Sequence, residues 1–569
     1  MSEARGSGAV EHFDAIVIGS GFGGSVMAYR LAQAGLSVCL LERGKRYPPG
    51  SFARSPKEMQ ANFWDPSEGR HGLFQVWDFG GIDGLVSAGL GGGSLIYANV
   101  LLRKDEDWFI RRRDDGSVEQ WPVTRGDLEP HYDQVEAVLA PQQYPFGSDP
   151  YDKTPKTLAL KDAAQALGLQ WFLPPLAVTF ANPGEAAVPG EPIKDASGHT
   201  PPNLHHRSRT TCRLCGECDI GCNYGSKNTL DYTYLTLAEN SGAVLRDRCE
   251  VRRFAPRAGG GYTVSYVAYL PEHEGRPTDT GALPLSTVSA DRLVLAAGTF
   301  GTSFLLLKNR DNFTGLSGKL GHYFSGNGDF LGFVHDAHED VDGARRTRTL
   351  AASHGSVITS TIRVPRHGDK GGFYIQDGGY PGFVDWLVEA TNGLGLLHRA
   401  ARFAETRVLE KVRGAHDPAM DAQIEAVLGD AHRSSSLLPL LAMGLDTPDG
   451  VLSLDDGNEQ LQLAWSSRSS RAYFAEVEST MGAIASKLGA RFQVDPLWYL
   501  HQKVVTVHPV GGCSMGNSSD EGVVDRNGEV FGYPGFVIAD GSVMPGPVGP
   551  NPSLTIAALA NRFADHQIG

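Results

Sequence analysis

The chain has 569 residues, of which 41% are hydrophobic and 20% charged, and it carries a net charge of −14 at neutral pH. This is a globular composition with ample core, which excludes disordered, collagen-like and coiled-coil classes. The negative balance, with no basic block longer than Arg111-Arg112-Arg113, argues against nucleic acid as a partner.

Glycine stands out, with 70 residues, about 12% against a usual ~7%. The excess has no fixed period, so the question is where the backbone turns tightly or approaches something closely. No apolar stretch of signal-peptide type precedes the first predicted strand, and no run of ~18 apolar residues predicts a membrane span. The expected setting is the cytoplasm.

The first predicted strand is Ala15-Ile16-Val17-Ile18. It runs into Gly19-x-Gly21-x-x-Gly24, then into a helical stripe that includes Val26, Met27, Leu31 and Ala32. Gly35 closes that helix, and Val38-Cys39-Leu40-Leu41 forms a second strand ending at Glu42. Strand, glycine turn, helix, strand and acidic residue in this order form the dinucleotide fingerprint. Gly19 makes the turn, Gly21 lets backbone approach a pyrophosphate, and Gly24 lets the helix sit close to the strand. Phe22 and Gly23 open the helix, whose N-terminus supplies N–H donors. Glu42 is placed to accept hydrogen bonds from an adenosine ribose. The fingerprint alone does not separate FAD from NAD.

A second glycine cluster, Gly89-Leu90-Gly91-Gly92-Gly93-Ser94, precedes an apolar anchor, Leu95-Ile96-Tyr97. Each glycine lowers local order relative to alanine, so the cluster predicts a backbone passing close to something flat. Residues 105–205 are mixed and proline-rich and predict an insertion covering the core. Residues 246–251 predict an edge strand, and residues 290–308 another strand, glycine turn and helix that extends a doubly wound sheet. Residues 325–495 combine strand patterns (357–364) with amphipathic helix (471–488) and predict a separate lobe. Near the C-terminus, His508 and Asn551 sit in loops rigidified by proline and glycine. A histidine fixed in such a loop is an acid–base candidate.

Cys212, Cys215, Cys218 and Cys222 follow a C-x2-C-x2-C-x3-C spacing. This is the ferredoxin iron–sulfur run, with Asn223 where proline usually follows. Free or paired structural thiols are the alternative reading, and zinc a third.

Together these segments resemble the glucose–methanol–choline (GMC) oxidoreductase family. The matching stretches are residues 19–24 with Glu42, 89–95, 295–301, 508–516, 539–546 and 551–559, which span nearly the whole chain. They are most similar to the bacterial cholesterol oxidase-like branch. The resemblance implies an α/β fold: a Rossmann-like FAD-binding domain with a doubly wound parallel sheet, and a second α+β substrate lobe built on an antiparallel sheet. The expected division is 1–104, 206–324 and 496–569 for the FAD-binding domain, 105–205 for the insertion, and 325–495 for the substrate lobe.

The resemblance also settles FAD over NAD. It implies that Gly91, Gly92, Gly93 and Ser94 pass the isoalloxazine, that Asp540 and Gly541 lie by the ribityl–pyrophosphate, and that Val251 meets the adenine through its backbone. Ala297 and Gly298 belong to the same cofactor-binding set. His508 and Asn551 become the active-site pair. The implied reaction takes an alcohol CH–OH to a carbonyl by hydride transfer to flavin N5. The substrate would be a lipophilic or sterol-like secondary alcohol, with oxygen or another electron acceptor completing the cycle. The alternative is a sugar or aminoglycoside-type alcohol whose electrons leave through an Fe–S cluster.

In cholesterol oxidases a glutamate of the substrate lobe reaches the active site. Here residues 373–381 contain none, and Gln376 or Asp377 occupies the neighbourhood. Asp377 reads as a turn residue before two glycines. The apolar stretches 394–397 and 437–443 lean towards a lipophilic substrate.

Overall fold

The computed structural model describes residues 10–112, 118–366, 371–380, 437–457, 460–494, 498 and 502–569. The stretch 394–397 lies outside them. The first sheet has a parallel core in the order Val244–Arg246, β2 (Val38–Leu41), β1 (Glu11–Ile18), Leu285–Leu295, Phe536–Ile538. Residues 15–18 of β1 are 0–3% exposed, as expected of a parallel strand covered on both faces. Between β1 and β2 runs helix α1 (Phe22–Gln33), after which Gly35 turns the chain at φ +88°, a left-handed position that glycine adopts without a Cβ penalty.

The sheet is extended by an antiparallel ribbon, Cys249–Pro256 and Tyr262–Ala268, paired to the first half of Leu285–Leu295. The expected single edge strand over 246–251 is therefore two strands. Val244–Arg246 pairs with β2, and Cys249–Pro256 starts the ribbon. The break falls at Arg248, whose φ of +59° no strand accommodates.

The second sheet is six-stranded and antiparallel throughout, in the order Gln170–Phe172, Thr361–Val364, Phe373–Asp377, Leu438–Gly444, Phe330–His335, Arg491–Val494. Of the expected strand pattern at 357–364 only the second half is strand. The expected apolar run at 437–443 is a buried inner strand. Helices Pro155–Leu167 and Arg471–Lys487 pack together against this sheet.

The insertion divides. Its helix Arg125–Leu139 packs on the C-terminal helix Ser553–Ile568, beside the first sheet. The helix Pro155–Leu167 and strand Gln170–Phe172 join the second. A small third sheet, Phe74–Asp78, Ile82–Ser87 and Val504–Thr506, delivers the chain directly to His508.

Candidate active site

A cavity of about 1640 Å³ is lined from the parallel sheet by residues 19–23 and Glu42, and from the antiparallel sheet by Leu331 and Leu441. His508 and Asn551 line the same cavity.

The glycines divide by what they face. A Cβ on Gly24 would stand 2.0 Å from the Gly19 carbonyl oxygen, and one on Gly92 would stand 2.6 Å from the Gly21 Cα. Those two serve protein-to-protein contact, holding α1 to its strand and the 89–95 segment to the fingerprint turn. A Cβ on Gly21, Gly93 or Gly298 would meet no protein atom within 4 Å, and all three line the cavity. The space before them is left for a ligand.

Two helix ends face the same space. Helix α1 starts at Gly21 with no side-chain cap and no acidic residue in its first turn, and the C-terminal helix starts at Pro552 in the same way. Buried helix N-termini carry orphan N–H groups and a positive dipole end. Two of them, uncapped and lining one cavity, suit an anionic or electron-rich ligand. The residues present therefore fit a dinucleotide such as FAD.

Glu42 lines the cavity while nearly buried. Its Oε2 accepts from the Ser20 N–H (3.1 Å) and Ser20 Oγ (2.7 Å), and its Oε1 from the Gly44 N–H (2.8 Å). Burial pushes its carboxyl up from the ordinary value, opposed by these donors. Oε1 keeps a free lone pair on the cavity side.

Asp540 also lines the cavity, yet its carboxylate is filled by protein donors. The Gly298 N–H (2.9 Å) and Thr302 Oγ reach Oδ2, and the Ser542 N–H (2.8 Å) reaches Oδ1. It caps the helix Gly298–Lys308 and anchors the turn 541–543. Phe22, Gly23, Val251, Ala297 and Gly541 line the cavity as well. Three residues of the expected cofactor set lie off its wall: Gly24, Gly91 and Ser94. Ser94 is a brace, donating to the Gly91 carbonyl (2.7 Å) and accepting from the Leu230 N–H (3.1 Å).

His508 follows the strand Val504–Thr506. Its Nδ1 lies 2.7 Å from Oδ1 of Asp329, a residue with no exposed surface. The other oxygen of Asp329 accepts from Thr506 Oγ (3.0 Å), the Val507 N–H (2.8 Å) and the His508 N–H (3.2 Å). A carboxylate so filled is acceptor-only, so Nδ1 carries the ring proton. A ring proton on Nδ1 leaves Nε2 turned away from Asp329, and among the described residues Nε2 has no partner. Asn551 is held differently. Gln376 Nε2 donates to Asn551 Oδ1 at 2.7 Å, and Asn551 Nδ2 reaches back to Gln376 Oε1 at 3.4 Å. One amide hydrogen of Asn551 remains uncommitted.

Leu331, Leu441, Gln376 and Thr361 form one register row across four adjacent strands. Gln376 thus stands beside the two leucines of the cavity wall. Asp377, one residue on, faces the other way. It is the fully buried last residue of a strand, not part of a turn, and accepts from the Thr359 and Ser360 N–H groups (2.9 and 2.7 Å). It ties down the 356–360 loop and does not line the cavity.

The geometry of the cysteine run does not support a metal centre. Among the described residues no three His, Cys, Asp or Glu side chains converge to hold an ion, and all seven cysteines are free. Cys212 and Cys218 are buried in an apolar cluster with Tyr144, Tyr151 and Phe180, where burial pushes both thiols up. The iron–sulfur reading, and with it an electron relay through a cluster, finds no support in this geometry. What the run supplies is a turn, Cys218–Ile220, whose Cys218 carbonyl takes a hydrogen bond from the buried Lys227 ammonium at 2.9 Å. The same ammonium binds the Leu95 and Tyr97 carbonyls (3.1 and 2.8 Å) and so clamps the glycine segment.

Sequence reasoning missed Asp329 and Lys227, and left Gln376 undecided. Asp329 ends a Ser-Gly-Asn-Gly-Asp stretch (325–329), a polar, glycine-broken signal just before a strand.

A glycine-cradled parallel sheet joined to an antiparallel lobe across one cavity is the architecture of a dinucleotide-dependent enzyme. The GMC oxidoreductase family model matches residues 445–560, and a NAD(P)-binding Rossmann-like model matches residues 17–62. Cholesterol oxidase of Mycobacterium tuberculosis is 30% identical, with 97% of this chain and 90% of that protein covered. Cholesterol oxidase of Acinetobacter baumannii is 26% identical over 97% and 93%. Among solved structures, pyridoxine 4-oxidase from Mesorbium loti superposes with a TM-score of 0.56 at 16% identity, covering 97% of this chain and 98% of that one. The chain belongs to the GMC oxidoreductase family, and is an FAD-dependent oxidoreductase of alcohols in the cholesterol oxidase-like branch. Among the described residues no helix is long and apolar enough to cross a membrane.

Proposed function

We propose that this enzyme oxidises a lipophilic secondary alcohol, with His508 and Asn551 as the catalytic pair. The observation that carries the reading is the Nδ1 contact to Asp329, which leaves His508 Nε2 as the free basic atom on the cavity wall.

An alcohol proton is too weakly acidic for a neutral imidazole to remove unaided. Its transfer becomes favourable only as hydride leaves the carbinol carbon. Bound FAD supplies the acceptor for that hydride at flavin N5. His508 Nε2 takes the hydroxyl proton, and the imidazolium so formed is stabilised by the Asp329 carboxylate behind it. The uncommitted Asn551 Nδ2–H donates to the carbinol oxygen and holds it in line. Gln376 fixes which way the Asn551 amide points. Gly21, Phe22 and Gly23 would receive the pyrophosphate at the α1 N-terminus, and Glu42 Oε1 the ribose. Gly92 and Gly93 would border the isoalloxazine.

The substrate class is supported by the lobe that faces it. Every described residue between 325 and 494 on the cavity wall is uncharged, and Leu331, Val357, Ile358, Pro439 and Leu441 are apolar. The cholesterol oxidases among the relatives agree with an apolar alcohol and with oxygen as the acceptor. We assign residues 1–104, 206–324 and 496–569 to the FAD-binding half, and 325–495 with the second half of the insertion to the substrate half.

The test is an anaerobic panel in which holoenzyme is mixed with apolar secondary alcohols, including sterols, and with polyhydroxylated alcohols. Apolar alcohols are expected to bleach the flavin at the lower concentrations. Bleaching by polyols alone would overturn the substrate class.

A further inference from the structure

The two catalytic side chains sit on loops that are distant in the chain, yet one five-residue segment grips both. Residues 325–329 read Ser-Gly-Asn-Gly-Asp. At one end Asp329 holds His508, as described. In the middle Asn327, with no exposed surface, is wrapped by the loop that leads into Asn551. Its Oδ1 accepts from the Val548 and Gly549 N–H groups (2.8 and 2.9 Å), and its Nδ2 donates to the Pro550 carbonyl (3.2 Å) and more weakly to that of Gly549 (3.4 Å). The carboxamide of Asn327 thus replaces the backbone partners that residues 548–550 lack.

The segment is itself fixed from every side. Ser325 exchanges both backbone hydrogen bonds with Val510, two residues after His508 (3.0 Å each). Its Oγ donates to Asp446 and accepts from the Asn327 N–H (2.9 Å). The Asn327 carbonyl accepts from the Gly444 N–H (2.9 Å), and the Gly328 carbonyl from Tyr473 Oη (2.8 Å). Asn327 holds a φ of +56°, a left-handed conformation maintained only where surroundings over-determine it.

Resting on the proposed roles of His508 and Asn551, we propose that Asn327 is a positioning residue for the reaction: through the 548–550 backbone it sets where the Asn551 carboxamide stands relative to the imidazole held by Asp329. It touches neither substrate nor cofactor. Its contribution is the common register of two loops, and misplacement of an aligned group by about 1 Å from a distant change is worth on the order of 10²-fold in rate.

Asn327→Gly is the informative variant, because glycine keeps the left-handed backbone without strain and removes only the side-chain bonds. It is expected to bind FAD with unchanged affinity and to bind alcohol within about 3-fold of the parent. Its limiting rate of anaerobic flavin reduction should fall about 10- to 100-fold. In an Asn551→Ala background the same change should cost less than about 3-fold more, since two groups acting as one unit are non-additive. Asn327→Asp, which keeps the acceptor for Val548 and Gly549, should recover part of the rate and serves as the reading variant if Asn327→Gly does not fold. An unchanged limiting rate, or a full multiplicative loss in the Asn551→Ala background, overturns the inference. Failure of the underlying reading shows up separately, as undiminished flavin reduction in His508→Ala.

Discussion

His508 and Asn551 line one cavity but are held by opposite chemistry. The imidazole leans on a buried carboxylate that takes four hydrogen bonds, all from residues 506–508 and one of them from the ring itself. The carboxamide leans on another carboxamide, a neutral partner that both gives and accepts. In the proposed mechanism, the group that gains a proton is backed by negative charge, while the one that need only donate a hydrogen bond is backed by a dipole. The first arrangement fixes a tautomer as well as a position. The second fixes only an orientation, and nothing in the Asn551–Gln376 pair titrates.

Removing partners from the two sides should therefore have unequal effects. The largest belongs to His508→Ala, which should leave FAD bound and lower the rate of flavin reduction by alcohol about 10³-fold, measured by anaerobic stopped-flow. Asp329→Asn comes next. An amide at that place can present N–H to the ring and favour the wrong tautomer, so a loss of about 10²-fold is expected, with alcohol affinity nearly kept. If Asp329→Asn proved no worse than a change at Gln376, the distinction between charge-held and dipole-held groups would fall.

Gln376→Leu frees the Asn551 amide to rotate and should cost about 10-fold in the same experiment, without altering the pH profile of the reaction. The smallest effect on rate, and one on stability instead, concerns Asp446. Burial pushes its carboxyl up to about 7, against Ser325 as donor and with Asp329 adding to the rise. A group protonated in the folded state but ionised in the unfolded chain makes stability fall as pH rises from about 4 to about 7. Tyr473 and Asp329 are the other ionisable groups facing it. Asp446→Asn should remove that slope in denaturant titrations across this pH window; an unchanged slope would mean the carboxyl ionises freely.

The cofactor half was largely legible in the sequence because its demands fall on single residues close together in the chain. A glycine that must clear another backbone, as Gly24 clears Gly19 and Gly92 clears Gly21, leaves a mark at a fixed spacing. That His508 and Asn551 are candidates could be read for a related reason, as polar residues in loops stiffened by proline and glycine, and both do line the cavity. Their partners were not, because Asp329 and Gln376 lie 179 and 175 residues away and are brought in by sheet register. Asp377 looked like a turn residue and Gln376 like its neighbour; only the strand alternation, set by pairing with Thr361 and Leu441, decides which of them meets Asn551. The cysteine run carries a signal that the structure does not support. Its spacing is a metal signature, but spacing along a chain does not specify that the sulfurs turn inward, and here two of them turn into an apolar cluster.

The central claim, that alcohol is oxidised at a flavin with His508 as the proton acceptor, is tested most directly by an anaerobic titration of holoenzyme with an apolar secondary alcohol. Flavin absorbance and carbonyl product are read together. The account predicts full bleaching with one carbonyl formed per FAD in the parent enzyme, and almost none in His508→Ala over the same time. Equal bleaching in the two, or none by any alcohol in the parent, would contradict it.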